Sequence, residues 1–225
     1  MKRCGVTQAG FSLLEITIVL VIIGLLIGGI RWGQELVVSS RGKAVVIDLN
    51  QISAAVALYQ DRYGAIPGDD ALAQGRWNWT AVPAATPSSP GNRIVDGAYN
   101  APAAVPEPES RLFWWHLRQA GFLAGPTDPA SPALAAQQPT NAVGGMIGVT
   151  TGSGAATVGL KGLIVCTANL PGKIAIAVDI RLDDGNSADG AVRAQRQSAS
   201  NENIGTAAAG YVEDSGTYLL CRPLY

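Results

Sequence analysis

Apolar residues crowd the first part of the chain. From Phe11 to Ile30, fourteen of twenty residues are Leu, Ile, Val or Phe, and Glu15 is the only charged one. As a helix rising about 1.5 Å per residue, such a run spans roughly 30 Å, the thickness of a bilayer's hydrocarbon core. At about −0.4 kcal/mol each, the fourteen favour insertion by about 6 kcal/mol, against about 3 kcal/mol opposing it from one acidic group. Beyond the run the pattern becomes amphipathic. Val38, Val45, Leu49, Ile52, Val56, Tyr59 and Tyr63 follow at seven-, four- and three-residue spacings, one helical stripe, with Arg41, Lys43, Asp48, Asn50, Gln51, Gln60 and Asp61 between them. Gly64 and Pro67 supply a helix ending. The pattern predicts one helix from about Phe11 to Tyr63, its first half in lipid and its second packed on a domain. Gly28, Gly29 and Gly33 weaken that helix by up to about 1 kcal/mol each and mark a bend or a partly melted stretch.

The remaining pattern is more broken. Ten of the thirteen prolines lie between Val82 and Thr140, which reads as surface loops around one short helix, Glu109 to Ala120, ended by Gly121. The aromatic residues of that helix suit docking on the long one. Thr140 to Gly162, rich in Gly, Thr and Ser, reads as a flexible loop or hairpin series, Leu160 to Thr167 as a strand, and Gly210 to Cys221 as a final strand. Ile174 to Leu182 fits two templates. Ile174, Ile176, Val178 and Ile180 alternate as in a strand, whereas Ile174, Val178 and Leu182 align on a helix entered at Pro171 and ended by Gly185.

Composition removes several classes. A net charge of −1, with only 15% charged residues, leaves no cationic stripe for phosphates, so no nucleic-acid partner is expected. The 48% hydrophobic content excludes disorder, and residues 64–225 suffice for one domain with its own core. The glycine-rich segments lack the lysine of a phosphate-binding loop.

A specific pattern sits at the start. Lys2 and Arg3 open a short basic leader that ends Ala9-Gly10, followed by Phe11-Ser12-Leu13-Leu14-Glu15. An ordinary secretory signal has a shorter apolar core with a small-residue cleavage site after it, whereas here Arg31-Trp32-Gly33-Gln34-Glu35 follow. A plain anchor leaves Glu15 unexplained, since an intramembrane carboxylate is by default a functional group with a partner. The pattern resembles the N-terminal signal of type IV prepilins and type II secretion pseudopilins. The resemblance implies cleavage between Gly10 and Phe11 by a membrane prepilin peptidase, methylation of the new Phe11 amine, and pairing of Glu15 with the Phe11 ammonium of a neighbouring subunit during assembly.

Tyr63-Gly64 followed by Pro67-Gly68-Asp69-Asp70, and the aromatic-His116-Leu117 helix running to Ala120-Gly121, resemble a subset of pilin-like proteins. The implied fold is α+β: a long N-terminal helix on a loop-rich domain with a small antiparallel sheet. It tips 174–182 towards helix. The implied organisation is a leader at 1–10, a transmembrane and filament-core helix at 11–30, the amphipathic half of the helix at 31–63, and a periplasmic or extracellular domain at 64–225. The implied setting is a single pass in a bacterial inner membrane, followed by a pilus or pseudopilus filament. Partners would be the peptidase, other subunits, the inner-membrane assembly platform and the lipid bilayer. The proline that many major pilins carry near the membrane exit is absent, and Trp32 occupies that region; with the large loop-rich domain, this favours a minor or initiating subunit.

With the leader removed, Cys4 is lost and Cys166 and Cys221 remain, an even pair in an exported domain. They form either a disulfide or two buried thiols. Asp183, Asp184, Asn186 and Asp189 gather oxygen ligands around Gly185. Some pseudopilins bind calcium in a C-terminal loop, while Asx-rich turns equally cap their own backbone. No enzymatic role is expected: Cys166, His116 and Asp179 form a nucleophile, base and orienter only on paper. His116, the single histidine, reads as a packing or hydrogen-bonded residue. The alternative to a filament subunit is a membrane-anchored surface module, an adhesin or DNA-uptake component, with Trp77 and Trp79 in a recognition loop.

Overall fold

The computed structural model describes residues 12–77, 91–104, 107–128 and 131–225. Contacts divide the chain into two units, Met1–Ser39 and Ser40–Tyr225. One helix, α1 (Leu13–Tyr63), belongs to both. It continues through Gly28, Gly29 and Gly33, so the melted stretch expected there is absent. Three glycines at about 1 kcal/mol each do not outweigh the strong helix formers around them. In the first unit the apolar side chains of α1 are exposed, from Leu13 through Ile30. In the second, Gly42, Val45, Leu49, Ile52, Ala55, Val56 and Tyr59 are buried. The expected stripe is there, with Gly42 and Ala55 added and Val38 and Tyr63 only half-buried.

The second unit is α+β. After α1 come α2 (Ala73–Trp77), α3 (Glu109–Gln119), α4 (Pro132–Ala135), β1 (Ile147–Ser153), a 3-10 turn (Ala155–Thr157), β2 (Lys161–Pro171), α5 (Gly172–Leu182), β3 (Arg193–Gln197) and β4 (Thr217–Pro223). The four strands form an antiparallel sheet in the order β1-β2-β4-β3. Segment 174–182 is helix: Pro171 presets the entry, and α5 packs on β2 and β4. The 140–162 segment delivers a hairpin strand, and β4 begins at Thr217 rather than Gly210. Gly216 and Asp214 form a turn there, with Gly216 N–H donating to the Asp214 carboxylate at 2.8 Å. β3, Arg-Ala-Gln-Arg-Gln, has no apolar alternation to announce it. Its pairing with β4 makes it a strand, while the buried Gln195 amide donates to the Asn203 carbonyl and the Gln197 amide oxygen accepts from Asn169 N–H of β2.

The sheet is covered on both faces. Ile164, Cys166, Ala168, Leu219 and Cys221 point to one side, where they join Tyr99, Val158 and Leu160. On the other, Arg222 of β4 donates to the Leu49 carbonyl at 2.9 Å and to Ser53 Oγ at 2.7 Å, tying the sheet to α1. Both sheet edges are occupied. Val95 exchanges hydrogen bonds with Thr151 of β1, and Ala194 of β3 bonds to Ser187 and Ala208. Open edges invite pairing with other chains, and here they are filled by loops.

Close approach fixes β1. A Cβ added at Gly148 would overlap the Tyr99 carbonyl. Gly148→Ala is therefore expected to lower the unfolding free energy by about 2 kcal/mol, the scale of a forced core overlap. Chemical denaturation of the variant beside the parent checks this, and an unchanged midpoint would show that the 99 loop moves aside freely.

Candidate functional site

At the N-terminal end, Gly10 and Phe11 lie outside the described residues, as do Cys4 and Trp79. Glu15 is the third residue of α1. It is exposed, and its N–H donates to the Ser12 carbonyl at 3.0 Å. An acid in the first turn faces the positive end of the helix dipole, so the position is locally favourable. Around it Leu13, Leu14, Ile16 and Ile18 are all exposed hydrophobics. Within α1 an eighteen-residue window has a mean hydropathy of 2.7 and no buried residues. By length and composition the helix is long and apolar enough to cross a membrane.

In the second unit the Pro67-Gly68-Asp69-Asp70 turn ties α1 to α3. Gly68, at φ +92°, donates its N–H to His116 Nδ1 at 2.9 Å. Tyr59 of α1 donates its hydroxyl to Asp70 Oδ2 at 2.7 Å, and Arg76 reaches the same oxygen at 2.6 Å. Burial works against the Asp70 charge, but the Arg76 and Tyr59 hydrogen bonds outweigh it and hold the carboxyl below the usual carboxylate range. Burial and the Asp70 hydrogen bond and charge push the Tyr59 hydroxyl far up, so it stays a donor. His116 is 3% exposed, and burial presses its pKa down to about 3. It is a neutral imidazole accepting a backbone proton and stacked on Tyr59 at 6.1 Å. Trp77 is half-buried, edge-on to Tyr63 at 5.8 Å and to Trp115 at 5.7 Å, which makes it cover for this aromatic cluster. The Arg76 guanidinium lies 4.2 Å from the Tyr63 ring centre.

Cys166 and Cys221 are joined as a disulfide. They face each other in the β2–β4 register and are fully buried. The Cys166 sulfur is therefore no nucleophile, and His116 uses its Nδ1 on Gly68. The three groups considered for an enzyme are each engaged elsewhere.

Searches of protein-family models, curated proteins and solved structures find no match to this chain.

The acidic loop after α5 brings a different set together than the sequence suggested. Asp179, Asp183 and Asp184 have oxygens within 4.8 Å of one another, whereas Asp189 stands outside that group. The oxygens mostly serve the loop itself. Asp183 Oδ2 accepts from Ala191 and Val192 N–H, Asp184 Oδ1 from Asn186 N–H, and Asn186 Oδ1 from Ala188 N–H. Asp179 accepts from Gly185 N–H and from the Tyr211 hydroxyl, the latter at 2.6 Å. Each carboxylate has about four lone-pair sites, so these hydrogen bonds order the loop while using only part of its acceptor capacity. These residues cap a turn.

Buried Glu109 and Asp69 escaped the sequence reading. Glu109, 2% exposed in the first turn of α3, accepts from Asp96 N–H at 2.8 Å through Oε2, while its Oε1 has no hydrogen-bond partner among the described residues. Burial, reinforced by Asp69 and Asp96, raises its pKa to about 7. Asp69 is 3% exposed and clamps the 91–93 loop. An acid just after Pro108 looks like an ordinary helix start in sequence, so nothing local announced its burial.

Proposed function

We propose that this chain is a pilin-like subunit of a type IV pilus or type II secretion pseudopilus filament, a minor or initiating one, anchored by α1 before assembly. One observation carries the reading. Glu15 is the only ion in the twenty-residue apolar run from Phe11 to Ile30, it lies in an exposed helix (Leu13–Tyr63) long and apolar enough to span a bilayer, and it follows a basic leader and a Gly10-Phe11 junction. Cleavage there would create an α-ammonium, the group a carboxylate in lipid requires. The continuity of α1 into a packed domain supports it, as does the disulfide, which suits an oxidising compartment outside the cytoplasm. The chemistry is assembly: apolar helix surfaces pack together, and the Glu15–ammonium pair sets their register.

The test is the intact mass and N-terminal peptide of the protein from its native envelope. The expected chain begins at Phe11, one methyl group heavier than the unmodified sequence. Glu15→Ala is expected to be cut at the same bond yet to fail to enter sheared filaments. A parent chain still beginning at Met1 beside active peptidase would sink the proposal and leave an anchored domain.

A further inference from the structure

The exposed apolar surface of α1 does not stop where its apolar run does. Past Ile30 come Arg31, Trp32, Gly33, Gln34, Glu35 and Leu36. Trp32 is 75% exposed and Leu36 60%, both more than Ile16, Val19 or Ile23 within the run. A spacing of four stacks Trp32 and Leu36 on one side of the helix. Arg31 and Glu35, both exposed, stack in the same way about 100° round it. This short stretch therefore carries an apolar stripe beside a charged one.

Trp32 is the informative residue. In the second unit Trp77 is half-buried against Tyr63 and Trp115, and Trp114 and Trp115 are buried. Trp32, by contrast, touches no other ring and makes no hydrogen bond among the described residues. Water would leave its ring wet, at about 25 cal/mol per Å² of apolar area. Packing on another apolar α1 would cover the ring and strand the indole N–H without an acceptor. The headgroup and glycerol layer of a bilayer does both jobs. It covers the ring and offers phosphate and ester oxygens to the N–H, which is why tryptophan gathers at that depth.

Length agrees. A hydrocarbon core of about 30 Å is filled by the run that ends at Ile30, and the charge of Arg31 marks its edge. The interfacial layer beyond adds roughly 5–8 Å, which at about 1.5 Å per residue reaches Glu35 or Leu36. An upright helix would wet both stripes alike. A helix leaning on its Trp32 side sinks Trp32 and Leu36 and lifts Arg31 and Glu35, so each stripe meets the surroundings it suits. We infer that the Trp32–Leu36 side of α1 is a seat in the phospholipid headgroup layer, with the indole N–H on lipid oxygens and α1 leaving the bilayer tilted onto that side. The seat sets depth. Glu15 lies about 24 Å along the helix from Arg31, inside the core and roughly 6 Å from its far face. The inference rests on the reading of α1 as a membrane anchor, and on neither cleavage nor filament assembly.

The experiment places the full chain in phosphatidylcholine vesicles, where flotation with the lipid reports the anchor itself. Lipids brominated near the headgroup end or at the methyl end of their acyl chains then report Trp32, whose emission is the difference between the parent and Trp32→Phe. Trp32 is expected to lose most of its emission to the shallow bromines and little to the deep ones. Nitroxides on Glu35→Cys and Leu36→Cys, each with Cys4→Ser, report the lean; the buried Cys166–Cys221 bridge takes no label. Leu36 lies further along the helix, yet its label should meet an aqueous nickel collider less often than the Glu35 label. Deep quenching equal to shallow, no quenching, or a Leu36 label as accessible as the Glu35 label overturns the seat. An unquenched ring whose emission changes as protein is diluted in lipid overturns it in favour of contact with a second copy. Chains that fail to float lose anchor and seat together. A floating chain with the expected quenching that is never cut after Gly10 loses only the filament reading.

Discussion

Replacing Cys166 and Cys221 together by alanine is expected to lower the unfolding free energy of the second unit by about 4 kcal/mol. The bridge closes a loop across a sequence separation of 55. Constraining such a loop in the unfolded chain corresponds to about 4 kcal/mol in the chain-entropy model. Both cysteines are also fully buried in a cluster with Tyr99, Ile164 and Leu219, so loss of the sulfurs leaves a small void in the same place. Urea denaturation of parent and double variant, with and without reductant, measures the effect. The reduced parent should fall with the variant. A parent that keeps its midpoint after verified reduction would show that sheet pairing alone holds β2 to β4.

The second large effect is a pair of opposed pH dependences from two buried groups, which largely cancel in the parent and are uncovered by removing either one. Glu109 has its folded pKa raised from 4.5 to about 7. The folded state binds that proton more tightly, so its contribution is fully present below about pH 4.5 and is lost as pH rises through 7. The loss amounts to about 3 kcal/mol. His116 has its folded pKa lowered from 6.5 to about 3, through burial first and the neighbouring Arg76 charge, with Asp70 opposing. There the unfolded chain takes up the proton, so stability is present above about 6.5 and drains as pH falls towards 3. By pH 4 this costs about 3 kcal/mol. The depressed Asp70 steepens the acid limb at its lower end. Between about pH 4.5 and 6.5 the two slopes cancel, so the parent should show only a shallow maximum, of about 0.6 kcal/mol, near pH 5.5. Glu109→Gln, a neutral isostere, should uncover a rise in stability of about 3 kcal/mol from pH 4 to 7, and His116→Asn, which keeps an acceptor for Gly68 N–H, should uncover a fall of about 2 to 3 kcal/mol over the same range. Denaturation midpoints from pH 4 to 8.5 test both; a pH profile unchanged in Glu109→Gln would remove Glu109 as a contributor.

Much of the architecture is legible without coordinates where the signal is periodic or covalent. The Phe11–Ile30 run, the seven-, four- and three-residue stripe from Val45 to Tyr59, the helix stopped at Gly121, and the cysteine pair all rest on local rules. Burial of a helical face repeats every few residues, and a left-handed stop demands glycine. What was missed lacks local cause. Arg193–Gln197 is a strand only because β4 offers it a ladder. The choice between helix and strand at 174–182 depends on which surface waits at β2 and β4.

Sequence alone determined that an apolar helix of spanning length leads the chain, that one carboxylate interrupts it, and that a domain able to hold a disulfide follows. These follow from composition and from hydrogen-bonding geometry within a few residues. Only the tertiary structure decided which polar groups are buried. Glu109 looks like a surface residue of a short helix until the 96 loop closes over it, and His116, which reads as a packing or hydrogen-bonded residue, finds its partner only when the Gly68 turn meets it. That Asp183 and Asn186 accept from the loop's own N–H groups is visible only once the chain folds back on them. Arg93 looks like any loop arginine until Asp69 clamps it into a left-handed turn. Desolvation and strain depend on neighbours distant in sequence, and those neighbours exist only after folding.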